Sequence, residues 1–472
     1  MPQSKQMEPN PLGTLPIKGL IWKFAIPGII SQIVTAIYNI VDQIFVGWGI
    51  GDLGIAATTV AFPVATVITA LSLLFGSGAA ANFSLLMGAK KEDEARKTIG
   101  NGLTLMALCG VIIAVFSIIF LKPMLYAFGA TDLIMPYAQP YTLIICIGIP
   151  FGIFSTGASY YIRSDGNPNF SSAVLLSGAV FNIIFDPIFL FTFDMGIEGI
   201  ALATTLGQVL SSILVVIYLL RKAKMIKPIK SDLFLQPRVI KAICGLGVSA
   251  FTQHLLATIV QIVSANTLKY YGAMSVYGSE ISLAAAGAVS KAMIVFMSCV
   301  IGISIGCQPI YGFNYGSRKY NRVKEAYIIA LRYGIAVSIV TFLIFQIFPR
   351  QILLLFGSSN PLFYEFATKY IRIYLFMTFV NALQPITSPF FTSLGKAYVG
   401  LGLSLLRQGL LLLPLLLILP RFYGIDGLLF AGPIADGIAA VVVIICGVKE
   451  VRNLTKMQAE QSKISERTDY IE

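Results

Sequence analysis

Asn182 and Asp186 are four residues apart and so share one face if the segment is helical. They lie in FNIIFDPIFLFTF (Phe181–Phe193), a run otherwise apolar and aromatic. Pro187 follows the aspartate directly. It lacks a backbone N–H, and its ring crowds the carbonyl of Ile183, so the helix is expected to bend or loosen there. A charge in hydrocarbon is unfavourable by several kcal/mol, so such a side chain normally faces a protein interior or a water-filled cavity. The chemistry this spacing supports is the binding of a proton or a small hard cation by oxygen ligands. A second deep carboxylate is Asp42, in YNIVDQIFVG, with Tyr38 four residues and Asn39 three residues before it. Asp42, Asn182, Asp186 and Thr204 are predicted to converge on one ion-coupling pocket, where Na+ is a possible occupant of Asp42, Asn182 and Asp186. The alternative reading leaves Asp42 solvated at an interface and Asp186 capping a proline kink.

Further polar residues lie in apolar runs. Gln253, Gln261, Gln308, Asn381 and Gln384 are either hydrogen-bonding glue between helices or cavity lining. Tyr38, Asn39, Phe151, Phe154, Gln253, Gln308, Asn381 and Gln384 are taken as the candidate substrate cavity. Arg332 and Arg372 are placed to snorkel to an interface. Lys291 and Arg407 look deeper, within reach of backbone carbonyls or a carboxylate. His254, the lone histidine, reads as a structural hydrogen-bond partner. Asp436 is open between a helix-start cap and a functional role. The stretch RSDGNP (Arg163–Pro168) reads as a tight turn.

The elements that must position these residues are membrane spans. The 472 residues are 56% hydrophobic and 12% charged, with mean hydropathy +0.81. A soluble domain carries roughly 25% charged residues, so an integral membrane protein is expected. Apolar runs of spanning length are predicted at Leu20–Phe45, Leu53–Leu86, Ile99–Leu121, Met135–Tyr160, Ser172–Phe193 and Ile197–Leu220. Six more follow at Ile240–Leu268, Ser282–Tyr311, Ala326–Phe348, Phe363–Phe391, Val399–Leu419 and Gly427–Val448. The first expected segment, 1–19, is polar and has no cleavable signal peptide. A first lobe at 20–221, a charged linker at 222–239, a second lobe at 240–448 and a loosely structured polar tail at 449–472 complete the division. Most Lys and Arg fall in alternate loops, and the opposite set holds only Lys122, Lys269, Arg350 and Arg421. That asymmetry puts both termini in the cytoplasm.

The chain also repeats. GAKKEDEARK (Gly88–Lys97) matches GSRKYNRVKE (Gly316–Glu325), FGA (Phe128–Ala130) matches FGS (Phe356–Ser358), and GIEG (Gly196–Gly199) matches GIDG (Gly424–Gly427). All three pairs share an offset of 228 residues. Six spans per copy relate the copies by an axis along the membrane normal. At that offset Asp186 meets Pro414 and Asn182 meets Leu410, so the carboxylate has no counterpart. Twelve transmembrane helices in two pseudo-symmetric six-helix lobes around a central cavity is the all-α fold this predicts.

Several classes are set aside. The chain has no phosphate-binding G-x-x-x-x-G-K-[ST] loop, no H-E-x-x-H motif and no G-x-S-x-G elbow, so an enzyme or ATP-driven motor is not expected. No repeated filter or charge ring marks a channel. The six cysteines all lie in apolar segments without metal-ligand spacing, and no disulfide framework is expected.

The loops MGAKKEDEA and FNYGSRKYNRVKEA, the segment IGCQPIYGFNYG (Ile305–Gly316), Asp42, and Asn182-x-x-x-Asp186-Pro187 together resemble the multidrug and toxic compound extrusion (MATE) family over nearly the whole chain. The resemblance implies an inner-membrane antiporter that exports organic, mostly cationic amphipathic compounds against inward H+ or Na+ by alternating access. It implies no cofactor beyond that coupling ion, no nucleic-acid partner, and a monomer in the lipid bilayer. Carried over residue by residue, Asp42, Asn182, Asp186 and Thr204 match the family's first-lobe cation site. The second lobe here lacks the acidic coupling residues of other branches, which favours the bacterial branch without them. A lipid-linked precursor or polysaccharide flippase of related architecture is the competing reading. It would want a strongly basic cavity, whereas the deep acids here face few deep bases.

Overall fold

The computed structural model describes residues 10–354 and 360–469, and every described element is helical. Eleven helices are long and apolar enough to cross a membrane. In the first repeat these are α1 (Ile17–Gly49), α2 (Asp52–Gly88), α3 (Glu92–Ile119), α4 (Met135–Ser164), α5 (Pro168–Thr192) and α6 (Gly196–Lys222). In the second they are α7 (Pro237–Ala273), α8 (Gly278–Gly316), α9 (Tyr320–Ile347), α11 (Ala397–Tyr423) and α12 (Ile425–Asp469).

The tenth crossing, expected as one span over Phe363–Phe391, is divided. Helix α10a runs Pro361–Tyr374 and α10b runs Leu383–Ser393, with an irregular stretch of turns between them. Pro385 falls in the first turn of α10b, where its missing N–H and its ring, which crowds the Asn381 carbonyl, are tolerated. Asn360 caps α10a by accepting from the Leu362 N–H at 3.0 Å, just before Pro361.

The tail also departs from expectation. Instead of a loose extension, α12 continues unbroken to Asp469. No Gly or Pro follows Gly447, and Glu, Lys, Gln and Met are good helix formers. Lys396 and Glu450 form an ion pair at 2.5 Å, and beyond it Leu454 is buried in a second-lobe cluster and Gln458 accepts from the Asn321 N–H.

The repeat is visible in the backbone. Lys90 and Arg318, 228 residues apart, both take left-handed conformations, with φ of 60° and 56°. Gly196 and Gly424 each have φ of 57°, where glycine carries no Cβ penalty. The FGS island (Phe356–Ser358) lies outside the described residues. Leu85 and Gly88 on α2 correspond at the same offset to Phe313 and Gly316 on α8. A Cβ on Gly88 would overlap the Phe313 carbonyl, and one on Gly316 would overlap the Leu85 carbonyl. The lobes therefore meet through a reciprocal backbone contact at the end carrying the basic loops. There Ser317 Oγ also donates to the Gly88 carbonyl at 2.9 Å. Cross-lobe hydrogen bonds extend as far as Ser298 to the Gln32 carbonyl, 3.5 Å. Beyond that level, toward the other end, no hydrogen bond or glycine contact joins the lobes among the described residues.

One buried cluster fills the first lobe, with Phe83, Met106, Tyr161 and Tyr218 fully enclosed. Two fill the second. The basic-end half of α1, with Leu20, Ile21 and Phe24, packs into a second-lobe cluster, while Val46 near its other end packs with Leu190 and Ile200 of the first lobe.

Candidate functional site: an unpaired carboxylate cluster in the first lobe

Asn167 starts α5 as an N-cap, accepting from the Phe170 N–H at 3.3 Å, with Pro168 in the first turn. The helix then carries Asn182 and Asp186 on one face as their spacing requires. After Pro187 the backbone widens into a π-helical turn over Ile188–Thr192. The expected loosening is there. Its physical effect is to free the segment next to the carboxylate from regular i→i−4 pairing.

Three of the predicted ion-coupling residues meet directly. The Asn182 amide nitrogen donates to Asp186 Oδ1 and to Thr204 Oγ1 on α6, each at 2.9 Å. Asp186 is 0% exposed and Asn182 2%. The other oxygens of this pair, Asn182 Oδ1 and Asp186 Oδ2, are buried with no hydrogen-bond partner. Asp42 on α1 is 8% exposed and accepts from the Gln43 amide at 3.1 Å. Thr58 of α2 in turn donates to Gln43 Oε1 at 3.2 Å. Asp42 and Asp186 lie within electrostatic reach of one another, and Tyr38 and Tyr141 within reach of both. Among the described residues no Lys, Arg or His forms an ion pair with either acid. A buried carboxylate with an idle acceptor oxygen, within electrostatic reach of a second buried carboxylate and with no basic partner, is a proton- or cation-accepting arrangement.

The remaining predicted cavity residues are distributed. Tyr38 and Phe154 are half-buried and Phe151 is exposed. Asn39 is exposed and donates to the Thr35 carbonyl of its own helix at 2.8 Å. Gln253 and His254 on α7 are half-buried, Lys291 on α8 is exposed, and Arg332 and Arg372 are exposed as snorkelling requires. Gln308 lines a cavity between the lobes at the basic end. Asn381 and Gln384 line a separate small second-lobe cavity, together with Arg407 and Asp436.

That second cavity settles two open readings. Asp436 is eleven residues into α12, too deep to cap its start, and it accepts from Arg407 Nε at 2.7 Å. Arg407 sits on a π-helical stretch, Leu405–Leu412, of α11. Gln384 contributes a buried amide nitrogen without a partner.

Sequence reasoning passed over Gln43, Thr58, Tyr141 and Gln208. Gln208 stands one turn beyond Thr204, against Gly148 and Gly152 of α4, with its Oε1 unsatisfied. The repeat offset was the available signal, because it pairs Gln208 with Asp436. The turn Arg163–Pro168 forms as expected and buries Asp165 completely. Burial pushes that carboxyl above its ordinary range, while Tyr218 Oη at 2.6 Å and the N–H groups of Lys224 and Met225 at 2.7 and 2.9 Å pull it back. All six cysteines are free thiols. Among the described residues no cluster of three or more His, Cys, Asp or Glu is placed to hold a metal ion.

A family model described as MatE matches residues 27–188 and 251–418. The chain is 25% identical over 432 residues to the multidrug export protein MepA of Staphylococcus saprophyticus, covering 91% of this chain and 92% of that one. MepA of Staphylococcus aureus strain MRSA252 is 23% identical over 441 residues, covering 91% and 93%. Among solved structures, the MATE multidrug transporter DinF-BH, solved as a complex, superposes with a TM-score of 0.87 at 32% identity, covering 96% of this chain and 99% of that one. An outward-facing MATE family transporter of the MOP superfamily has the same fold, with a TM-score of 0.87 at 22% identity over 94% and 98%.

Proposed function

The chain belongs to the MatE family, a multi-pass membrane transporter fold with twelve helices in two lobes, and on that premise we propose that it is a secondary active multidrug exporter. Its substrates are organic, mostly cationic amphipathic compounds, and its driving force is inward movement of H+ or Na+. The observation that carries the proposal is the pair of buried oxygens, Asp186 Oδ2 and Asn182 Oδ1, left without donors beside an unpaired carboxylate. Asp42, Asn182, Asp186 and Thr204 are the ion-coupling set.

The ion and the cationic drug compete for one negative charge. With the cavity open away from the basic loops, Asp186 and Asp42 take up the incoming ion, and the attraction for a cationic substrate falls. The substrate leaves. Rocking of the lobes then exposes the site to the other side, where loss of the ion restores the charge and the next substrate binds. Tyr38, Phe151 and Phe154 supply aromatic faces for flat cations. The basic loops lie on the cytoplasmic side of a plasma membrane, with both termini there and the monomer as the working unit. MepA relatives named as multidrug export proteins support the substrate class.

Ethidium efflux from proteoliposomes, with a proton gradient and a sodium gradient imposed separately, tests this reading. Efflux on the proton gradient alone assigns the carboxylates as titrating groups. A requirement for sodium assigns them as ligands, with Asn182 and Thr204 completing the shell. If neither gradient moves ethidium, the cation-exporter reading falls.

A further inference from the structure

Arg163 lies in the last turn of α4, at the interface between the lobes, and is 3% exposed. Its guanidinium stands 5.7 Å from the centroid of the Tyr160 ring, and its Nε is buried without a hydrogen-bond partner. Among the described residues no carboxylate lies within ion-pair distance. Asp165, two residues on, is committed to Tyr218, Lys224 and Met225. An arginine does not lose its proton inside a protein, and a buried charge without a counter-charge is strongly unfavourable. A water molecule in contact would solvate the group but not neutralise it.

The guanidinium borders a small cavity between the lobes, on the scale of a single water molecule or small ion. The first lobe contributes Tyr160, Arg163, Ser164 and Ser84 to its wall, and the second contributes Ile305 and Gln308. The Ser164 hydroxyl and the Gln308 amide make no hydrogen bond among the described residues, so both are available as donors. The turn itself does not need the charge. Its second-lobe counterpart, aligned through the left-handed Gly166 and Gly395 (φ 83° and 80°), carries Thr392 where the first lobe carries Arg163.

We propose that this cavity binds a small inorganic anion of chloride's size, held by the Arg163 guanidinium with Gln308 and Ser164. Because its walls come from both lobes, the site exists only while they are packed at the basic end. The anion therefore favours that arrangement and leaves when the lobes part.

The test uses the full-length chain with bromide as the probe. Crystals grown in sodium bromide should give an anomalous peak between Arg163 and Gln308. In detergent, replacing gluconate by bromide at constant ionic strength should raise the unfolding temperature saturably, by about 3 °C at one hundred times the dissociation constant. Arg163→Gln should give a flat response. Absence of both the peak and the rise in the wild-type chain overturns the proposal. A peak without a saturable rise means binding at crystal concentration only, and also overturns it. A phosphate headgroup or a carboxylate in that position overturns the halide assignment. The wild-type measurements decide the matter even if the variant fails to fold.

Discussion

The two lobes carry polar clusters between equivalent helices, α5 with α6 and α11 with α12, but they resolve the charge differently. In the first lobe Asp186 has an amide donor and no cation, and one of its oxygens is idle. In the second, Asp436 stands where the repeat puts Gln208, and Arg407 neutralises it at 2.7 Å. A carboxylate already paired with a guanidinium has no vacancy for an exchangeable ion. A carboxylate left unpaired has one, at the expense of stability. The repeat supplies two scaffolds, and on the proposed function the difference in charge separates a site for an exchangeable ion from a paired, structural one.

The sharpest way to break this comparison is to neutralise each acid in turn. Asp186→Asn keeps the shape and an acceptor for Asn182, so ethidium efflux per folded molecule should fall at least about 100-fold. The unfolding temperature should stay level or rise, since a buried charge disappears. Asp436→Asn should do the reverse, retaining efflux in the folded fraction while losing about 2–3 kcal/mol of stability, because Arg407 is left unpaired with 24% of its side chain exposed. Thermal unfolding beside efflux reads both. Equal effects of the two substitutions on efflux would remove the distinction between the lobes.

Four further changes sharpen it. Replacing the ion pair together, Arg407→Met with Asp436→Leu, should recover most of that stability, since a matched apolar pair replaces a buried ion pair at little loss. Gly88→Ala puts a methyl group into the Phe313 carbonyl. It should shift the lobe equilibrium about tenfold away from closure at the basic end, read as spin-label distances between the lobes. Within the first-lobe cluster, Asn182→Ala should weaken apparent ion affinity about tenfold by removing the donor to Asp186. Thr204→Ala should weaken it about threefold. The order of those two reverses if Thr204, rather than Asn182, organises the site.

Much of this was legible from residues alone. The spacing of Asn182 and Asp186 fixed their shared face, Pro187 announced the loosened turn after them, and the repeat offset placed the glycines that join the lobes. What escaped was set by tertiary context. Phe363–Phe391 reads as one span despite Glu365, Lys369 and Arg372, whereas the structure breaks it between Tyr374 and Leu383. Arg407 and Asp436 are 29 residues apart on different helices, and only the packing of α11 on α12 makes them partners. The tail past Glu450 looked loose because its composition is polar, yet polarity does not oppose a helix that lacks glycine and proline.

That last helix has a use as a pointer. Past Glu450 the helix stays on the second lobe, with Leu454 buried, Thr455 accepting from Lys324 and Gln458 accepting from the Asn321 N–H at 3.3 Å. About 11 residues follow Gln458, an arm of roughly 16 Å at 1.5 Å per residue. An arm of that length magnifies rotation: each 10° of tilt at its base carries the tip about 3 Å sideways. A fluorophore placed near its free end would report the angle of the second lobe while touching neither the drug path nor the carboxylates.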